Sequence, residues 1–275
     1  MKKILTSIFM IAFALCLGGC NLPWQKQEDT QTEKSQVVEA AKVKGTMKGM
    51  KLKVGVSEEM APFSFYDEDK KEITGFDIDI LKKISNYLGF DYEMEPLPMK
   101  DIEKKIKNKE LDFAIAGISI TDARQKDFLF TDSYFENTIS MAVNQDSGIE
   151  DRKDITGKKI GVEKGTSNAQ YVESYMKEGN TIKYYNSMSD VFKDLEAGKI
   201  DVTLYDTTGV EYYLQHHEDT KIEALSEELN SEESNYGIMF PKDFKYLDQF
   251  NVALQVLNTE GDYQEIKEDW LGTKE

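Results

Sequence analysis

The order in which strands and helices alternate is the feature that most constrains the fold of this chain. Successive segments have the patterns of strand, helix, strand, helix and strand, at residues 52–57, 75–90, 91–96, 101–107 and 112–116. The first segment, LKVGVS, alternates as a strand does, and in the second Ile80, Ile84 and Leu88 recur at helical spacing. This order predicts a parallel sheet covered by helices.

A second run of alternating strands and helices follows in the middle of the chain. Its segments lie at residues 158–167, 168–175, 181–186, 190–196, 199–206 and 207–214. The C-terminal part, from NYGIMF at 235–240 to Trp270, adds one strand pattern and two helical patterns. Ligands of open α/β sheets sit outside the carboxyl ends of the strands. Two facing α/β lobes would therefore surround one cleft.

The N-terminus has the pattern of an export signal. Two lysines precede an apolar run over residues 4–17, which is shorter than the roughly 18 to 20 residues that cross a bilayer. LGGC at 17–20 resembles the lipobox of bacterial lipoproteins, which predicts cleavage before Cys20 and a lipid on its sulfur. An ordinary secreted protein cut at a small-residue site is the alternative. Cys16 would leave with the signal, so the single remaining cysteine excludes a disulfide.

The segment after Cys20 predicts a flexible tether. Residues 21–49 are mostly Gln, Glu, Lys, Thr and Ser, which cannot bury enough apolar surface to fold. The remaining length is enough for one large domain or two lobes. The chain has 34 basic and 51 acidic residues, a formal charge of −17. This balance disfavours nucleic acid as a partner, because phosphates need a basic surface.

The stretch AIAGISITDAR at 114–124 has an order of residues that a buried core does not need. A strand runs out into Gly117 and two hydroxyl residues, Ser119 and Thr121, with Arg124 behind them. This arrangement suits the capture of a small carboxylate by a planar cation. Alternatively, Arg124 is a surface residue on a short helix begun by Thr121.

Several ordered motifs together resemble the extracytoplasmic solute-binding proteins of polar amino-acid ABC importers. GFDIDI at 75–80 matches the family's glycine, aromatic, acid, aliphatic, acid, aliphatic pattern, and the stretch at 117–124 matches its GxSxTxxR segment. FTDSYF at 130–135 resembles the stretch that follows. The resemblance covers about residues 52–271, nearly all of the predicted folded part. It implies the two-lobed periplasmic-binding-protein-like fold of type II.

The resemblance also implies a set of ligand contacts. Arg124 would pair bidentately with the ligand α-carboxylate. Gly117 and Ser119 would offer backbone and hydroxyl groups to the α-amino and carboxylate groups. Ser167, next to Thr166 at a helix start, would direct a backbone N–H at the carboxylate.

Asp206 would accept a hydrogen bond from the α-ammonium, again on the strength of the resemblance. Its alternative role is to cap the helix that starts at Thr207. Asp77 and Asp79 are interpreted as structural, because two acids at a helix start suit the helix dipole.

The side-chain end of the site departs from the family pattern. Where the family often has aromatic rings on both sides of the ligand, this sequence has Met60 and Met99, whose thioethers would form a polarizable clamp. Alternatively, both methionines fill gaps beneath Phe63 or Phe65, which would then supply the aromatic face.

The choice of amino acid stays open at this level. Ser57 replaces an acid that some relatives use to bind a cationic or amide side chain, and Glu163 stands where one type of relative has a lysine. These substitutions argue against a dedicated glutamine or arginine binder. Cystine, methionine and other neutral or polar amino acids remain.

The complete prediction is a lipoprotein that delivers a small amino acid to an ABC permease and its ATPase subunit. Its predicted segments are a signal at 1–19, a tether at 20–49, lobe one at 50–137 plus 236–275, and lobe two at 138–235. Chain crossings at about 138–143 and 235–240 would form the hinge. We expect a monomer without a cofactor, lipid-anchored at Cys20 on the extracytoplasmic face of the cell membrane.

A prephenate- or arogenate-dehydratase-like enzyme on the same fold is the alternative function. Such an enzyme needs a general acid. The two histidines, His216 and His217, are adjacent and cannot share a helix face. The sequence has no nucleophile motif and no cluster with metal-ligand spacing, so we expect no catalysis and no metal.

Overall fold

The structure is a computed structural model that describes residues 40–229 and 234–272. The strands are β1 Lys51–Val56, β2 Glu59–Met60, β3 Ser64–Asp67, β4 Glu72–Thr74, β5 Asp91–Pro96, β6 Phe113–Ala114, β7 Phe128–Phe130, β8 Ile139–Asn144, β9 Lys159–Glu163, β10 Thr181–Tyr185, β11 Val202–Asp206, β12 Ile222–Leu229 and β13 Met239–Pro241. The α-helices are α1 Phe76–Leu88, α2 Met99–Lys107, α3 Asp122–Gln125, α4 Ser167–Tyr175, α5 Met188–Glu196, α6 Thr207–His216, α7 Leu247–Glu260 and α8 Asp262–Leu271.

Two five-stranded sheets divide these elements into two lobes. The first sheet has the order β5-β1-β6-β13-β7, and the second has the order β10-β9-β11-β8-β12. In the first sheet β5, β1 and β6 are parallel, and β13 runs antiparallel to both β6 and β7. In the second sheet β10, β9 and β11 are parallel, and β8 runs antiparallel to both β11 and β12. The mixed α/β, two-lobed fold class predicted from the sequence is confirmed.

Helix α1 shows how the sequence pattern produces the first lobe. The apolar residues at helical spacing, Ile80, Ile84 and Leu88, are fully buried against the first sheet. Gly75 precedes the helix with a φ of 133°, and a Cβ there would lie 2.1 Å from the Phe63 carbonyl oxygen. Only glycine therefore fits at this position, because any side chain would collide with the backbone.

The second lobe has its own apolar core on both faces of its sheet. One group of buried residues includes Ile160, Val162 and Leu204, and another lies under α5 with Val191 and Leu195. The strands that contribute to both groups are almost fully buried, as is usual when helices cover both faces of a sheet.

Three parts of the described structure differ from the sequence prediction. Residues 40–49, assigned to the tether, pack on the first lobe: Met47 is fully buried, and its N–H donates to the Leu88 carbonyl at 2.9 Å. The small antiparallel sheet β2-β3-β4 was not predicted, since its strands are too short to show alternation. The segment expected as the first crossing is mostly β8, which pairs with β11 and β12.

The predicted export signal, Cys20 and the tether as far as residue 39 lie outside the described residues. Within residues 40–229 and 234–272, no helix is long and apolar enough to cross a membrane.

Candidate functional site

A small, partly open cavity lies between the two lobes. Its volume is about 30 Å³, on the order of the space of one water molecule. An amino acid therefore enters only after the lobes separate or the lining side chains move. Strands, helices and turns of both lobes line it: Ser57, Glu59, Met60, Met99, Gly117, Ser119, Arg124, Glu163, Thr166, Ser167, Asn168, Tyr205 and Asp206.

Eight of the nine residues predicted to contact a ligand line this cavity. They come from separate positions in the chain: Met60, Met99, Gly117, Ser119, Arg124, Thr166, Ser167 and Asp206. Their common location is a structural observation, whereas their roles toward a ligand stay predictions.

Arg124 lies on α3 and is 4% exposed, so its interpretation as a surface residue is wrong. Thr121 begins this short helix, and its hydroxyl accepts from the Arg124 N–H at 3.2 Å. The guanidinium donates from Nε to Glu103 at 2.9 Å, from Nη1 to the Ser119 carbonyl at 3.0 Å and from Nη2 to the Gly165 carbonyl at 3.0 Å. Within the described structure this leaves one N–H on each terminal nitrogen, the pair that a carboxylate accepts bidentately.

Direct contacts close the two lobes on each other beside Arg124. The hydroxyl oxygens of Ser119 and Ser167 are 2.9 Å apart, and Lys100 Nζ donates to Asn186 Oδ1 at 3.0 Å. Gly165 has a φ of +84°, and a Cβ there would lie 2.7 Å from the Lys100 Cα atom. This close approach of two backbones requires glycine, both for its conformation and for its lack of a side chain.

Ser167 opens helix α4, as the sequence predicted. The Thr166 hydroxyl caps this helix by accepting from the Ala169 N–H at 3.1 Å, and it donates to the Glu163 carbonyl at 2.8 Å. The N–H groups of a first helical turn lack partners within the helix and carry partial positive charge. The second lobe therefore presents a favourable environment for an anion beside Ser119.

Asp206 ends strand β11 and is 5% exposed. Its side chain makes no capping hydrogen bond to α6, so capping does not explain this residue. Instead its Oδ1 accepts from Asn137 Nδ2 at 2.8 Å and from Asn168 Nδ2 at 3.4 Å. Burial raises the pKa of Asp206, while Tyr236, these two amides and Arg124 act in the opposite direction. A cation bound at this carboxylate would offset the cost of burying its charge.

Met60 and Met99 line the cavity and are also packed into the first lobe. They are 8% and 7% exposed. A Cβ at Gly117, whose φ is +56°, would lie 2.5 Å from the Met60 methyl carbon, so Gly117 leaves the space that Met60 fills. The two methionines therefore lie at the cavity and fill core space at once, and the alternatives posed for them are not exclusive.

Phe63 is the one predicted contact that the structure does not bring to the cavity. It is fully buried in the first lobe, with its ring 4.9 Å from Phe135 and 5.0 Å from Tyr236, both edge to face. Contact of Phe63 with a ligand stays a prediction, but in this conformation its ring packs in the core and does not line the cavity. Phe63 was proposed as an aromatic face above Met60 and Met99, whereas the turn between β2 and β3 places it in the first lobe's core.

Two acidic residues give the cavity a charge that sequence reasoning did not assign. Glu59 belongs to β2 in the first lobe and Glu163 ends β9 in the second, and both line the cavity. Burial raises the pKa of Glu163 to about 8, with smaller contributions from Glu59 and Asp206, and Lys100 lowers it. Position at the carboxyl end of a strand was the available signal for Glu163, whereas Glu59 lies on a strand too short to recognise.

Asp77 does not line the cavity, but it accepts a hydrogen bond from the backbone of Gly117, which does. It is fully buried, accepts from the Gly117 N–H at 2.6 Å, and shares a 2.9 Å hydrogen bond with the Tyr134 hydroxyl. Burial raises its pKa to about 7. Asp77 thus has a specific structural partner at the site, beyond the general effect of an acid at a helix start.

Replacement of Asp77 by alanine is expected to lower the free energy of unfolding by about 2–4 kcal/mol, because it leaves two buried polar groups without a partner. Asp77→Asn, the matched control, keeps an oxygen that accepts from the Gly117 N–H, and its amide can donate to the Tyr134 hydroxyl oxygen in place of the present Tyr134 O–H donation, so it should change the free energy of unfolding by less than about 1 kcal/mol. Because folding raises the pKa of Asp77, its contribution weakens as pH rises from about 4 to about 7. Urea denaturation at several pH values measures both effects, and equal losses in the two variants would contradict this role.

A larger groove of about 1150 Å³ lies elsewhere, along α7 and α8 and the start of α6. Its lining is mostly polar, and it contains none of the predicted ligand-binding residues. Among the described residues, no group of three His, Cys, Asp or Glu side chains could hold a metal ion. The cavity between the lobes is therefore the candidate binding site.

Two α/β lobes that close on a cavity lined by opposite charges define a two-lobed binding protein. The model of the bacterial extracellular solute-binding proteins, family 3, matches residues 52–273, and the chain belongs to this family. The family and the matched relatives are substrate-binding proteins rather than enzymes, which excludes the dehydratase alternative.

Individual relatives differ in the amino acid that their names give. The chain is 26% identical to the arginine-binding extracellular protein ArtP of Bacillus subtilis, over 80% of this chain and 86% of the relative. It is 23% identical to the L-cystine-binding protein TcyA of the same organism, over 99% and 98%. Among solved structures, an ancestral arginine-binding protein bound to arginine is similar, with 32% identity, a TM-score of 0.77 and coverage of 82% of this chain and 100% of that chain.

Proposed function

We propose that this protein captures a small amino acid between its two lobes and delivers it to an ABC permease and its ATPase subunit. The observation that carries the proposal is the pairing of opposite charges across the cavity, with Arg124 on the first lobe and Asp206 on the second. A zwitterion offers a carboxylate to one and an ammonium to the other.

Binding of this kind couples ligand capture to lobe closure. Arg124 already contacts the Gly165 carbonyl of the other lobe, and Ser119 contacts Ser167. A ligand that bonds to both lobes adds to these contacts only in the closed conformation, so it shifts the protein toward that conformation. The permease would then recognise the closed, loaded form.

Anchoring at the membrane is part of this proposal. The LGGC sequence that ends at Cys20 supports attachment of lipid to this cysteine, and the following polar residues support a tether that keeps the lobes near a permease. Cys20→Ala should move the protein from the membrane fraction into the medium, and unchanged membrane association would contradict the anchor.

The ligand class supported by the relatives' names includes arginine and cystine, whereas the methionine pair supports cystine, methionine or another neutral amino acid. The direct test is thermal melting of the purified protein against the twenty L-amino acids and cystine. A ligand at 100 times its dissociation constant stabilises by about 2.7 kcal/mol, which corresponds to a rise in the melting temperature of roughly 5–10 °C at this size. The D-enantiomer of any active compound is the matched control. No shift with any compound would contradict the proposal.

A further inference from the structure

The cavity has more acidic side chains than the carboxylate and ammonium groups of a neutral amino acid can pair with. The ionisable acids and bases among its thirteen lining residues, leaving the Tyr205 phenol aside, are Arg124, Asp206, Glu59 and Glu163. On the proposed function, Arg124 matches the α-carboxylate and Asp206 the α-ammonium. The carboxylates of Glu59 and Glu163 then remain, one on each lobe.

Glu163 is a largely buried carboxylate without a bonding partner in the described structure. No hydrogen bond or ion pair to its carboxylate is formed by residues 40–229 or 234–272. Lys100 exerts an electrostatic influence on it, but the Lys100 ammonium donates to Asn186 Oδ1 at 3.0 Å. Leaving a buried carboxylate unpaired is costly, so Glu163 holds a proton until a cation pairs with it. The cavity is the side from which such a cation can reach it.

Glu59 approaches the same space from the first lobe. Burial raises its pKa, as do the neighbouring acids Glu58 and Asp190, while the Ser187 hydroxyl of the second lobe lowers it. Glu59 also contributes to the raised pKa of Glu163. The charged forms of the two side chains therefore disfavour one another across the closed lobes. A cation between them would attract both and stabilise both charged forms.

Asn168 supplies an independent indication that the cavity receives an N–H donor. It is 4% exposed and lines the cavity, its Nδ2 donates to Asp206, and its buried Oδ1 has no hydrogen-bond partner among the described residues. Buried amide oxygens are normally bonded. An oxygen can only accept, so the missing partner must be a donor.

We infer that the bound amino acid has a cationic side chain, a guanidinium or an ammonium on an aliphatic stem, and that Glu59 and Glu163 select it. This inference rests on the proposed function and identifies its substrate class. Met60 and Met99 suit the stem, because thioethers adapt to the methylene groups that cationic side chains bury behind their charged ends. Glu59 and Glu163 would thus take over the role of the acid that some relatives have at the position of Ser57.

The test compares L-arginine with L-citrulline, which has nearly the same shape but no charge on its side chain. Isothermal titration calorimetry on the purified protein should give arginine or lysine as the tightest ligand, with citrulline at least about 30-fold weaker than arginine. L-glutamine, L-methionine and L-cystine are measured in parallel.

The variant Glu163→Gln separates selection of charge from binding of the amino-acid head group. It should weaken arginine by at least about 30-fold and reduce the ratio of arginine to citrulline affinity to a few-fold. Glu59→Gln should act in the same direction with a smaller effect, because Glu59 is more exposed. Glu58→Gln, the same substitution one residue away and outside the cavity lining, is the matched control and should leave the ratio unchanged.

Release of a proton when arginine binds would show that Glu163 pairs with the ligand, because a glutamate with a purely structural role would keep its protonation state on binding. The pKa of Glu163 is about 8, so at pH 7 the side chain is mostly protonated before a cation binds and loses its proton when it pairs. Titrations of arginine in phosphate and Tris at pH 7 should therefore show release of up to about one proton per ligand. Glu163→Gln should abolish this release.

The outcomes distinguish the two levels of the proposal. Tighter binding of a neutral amino acid than of arginine and lysine, together with unchanged affinities in Glu163→Gln, would overturn the inference of a cationic side chain. The proposal of amino-acid capture would not be affected by that result. No binding of any amino acid would overturn both.

Discussion

Replacement of Arg124 by alanine is expected to lower the affinity for the bound amino acid by at least about 100-fold, while the protein remains folded. Truncating one partner of a buried charge pair costs roughly 2–5 kcal/mol, and the guanidinium presents the pair of N–H groups that would donate to the α-carboxylate. Its other partners are Glu103, whose side chain is 32% exposed, and the carbonyls of Ser119, which lines the cavity, and Gly165 in the other lobe, so none of them depends on Arg124 for a place in an apolar core. Calorimetric titration measures the affinity, and circular dichroism with urea denaturation checks the fold.

Two further variants make the Arg124 result specific. Arg124→Lys keeps the charge but loses the planar fork, so most of the affinity should still be lost. Arg152→Ala removes an arginine whose Nη2 donates to Tyr171 outside the cavity, and it should leave affinity unchanged. Affinity in Arg124→Ala within a few-fold of the unmodified protein would refute the assignment of the carboxylate site.

Replacement of Asp206 by asparagine should weaken binding by roughly 10- to 100-fold, because the ammonium loses a charge-assisted hydrogen bond worth about 1.5–3 kcal/mol. The same change should leave the free energy of unfolding unchanged or raise it. Burial already raises the pKa of Asp206, so its charge costs stability in the ligand-free protein, and an amide can still accept from Asn137.

Opposite effects on binding and stability are what distinguish a ligand contact from a structural acid. Stability sacrificed at a binding site is a common trade-off. Asp219→Asn, on an exposed loop after α6, is the control for loss of one acidic charge. A large loss of stability in Asp206→Asn with unchanged affinity would show that this carboxylate serves the fold alone.

Much of the fold could be predicted because its elements carry strong periodic signals. Strand β5 and the apolar face of α1 have the predicted residues, and the ends of the parallel strands gather the predicted contacts. Residues 40–49 and the β2–β4 sheet could not be predicted, since a single buried side chain such as Met47 or a strand of two to four residues leaves no periodicity.

The site was predictable where a motif specified backbone geometry and less so where it depended on neighbouring side chains. Arg124 and Ser167 follow from a strand end and a helix start. The burial of Phe63 in the core depends on its packing against Phe135 and Tyr236, which the local sequence does not show. The charge of the cavity depends on Glu59 and Glu163, which line it from opposite lobes. Proximity between residues about 100 positions apart along the chain is not visible as a local pattern.

The interpretation of Glu163 differs most between the sequence and the structure. In the sequence it was one substitution among several that argued against an arginine binder. In the fold it lines the same cavity as Glu59, Asp206 and Asn168, whose amide oxygen has no partner among the described residues. Selectivity of such a cavity depends on the sum of its charges, so one missing acid at Ser57 does not decide it.

The most direct test of the account is a crystal structure of the protein with the amino acid that raises its melting temperature most. We predict that the ligand occupies the cavity between the lobes, with its carboxylate bound by the two terminal nitrogens of Arg124 and by the Ser167 N–H. Its ammonium should lie on Asp206. A ligand bound in the groove along α7 and α8, or held in the cavity without contact to Arg124 and Asp206, would contradict the account.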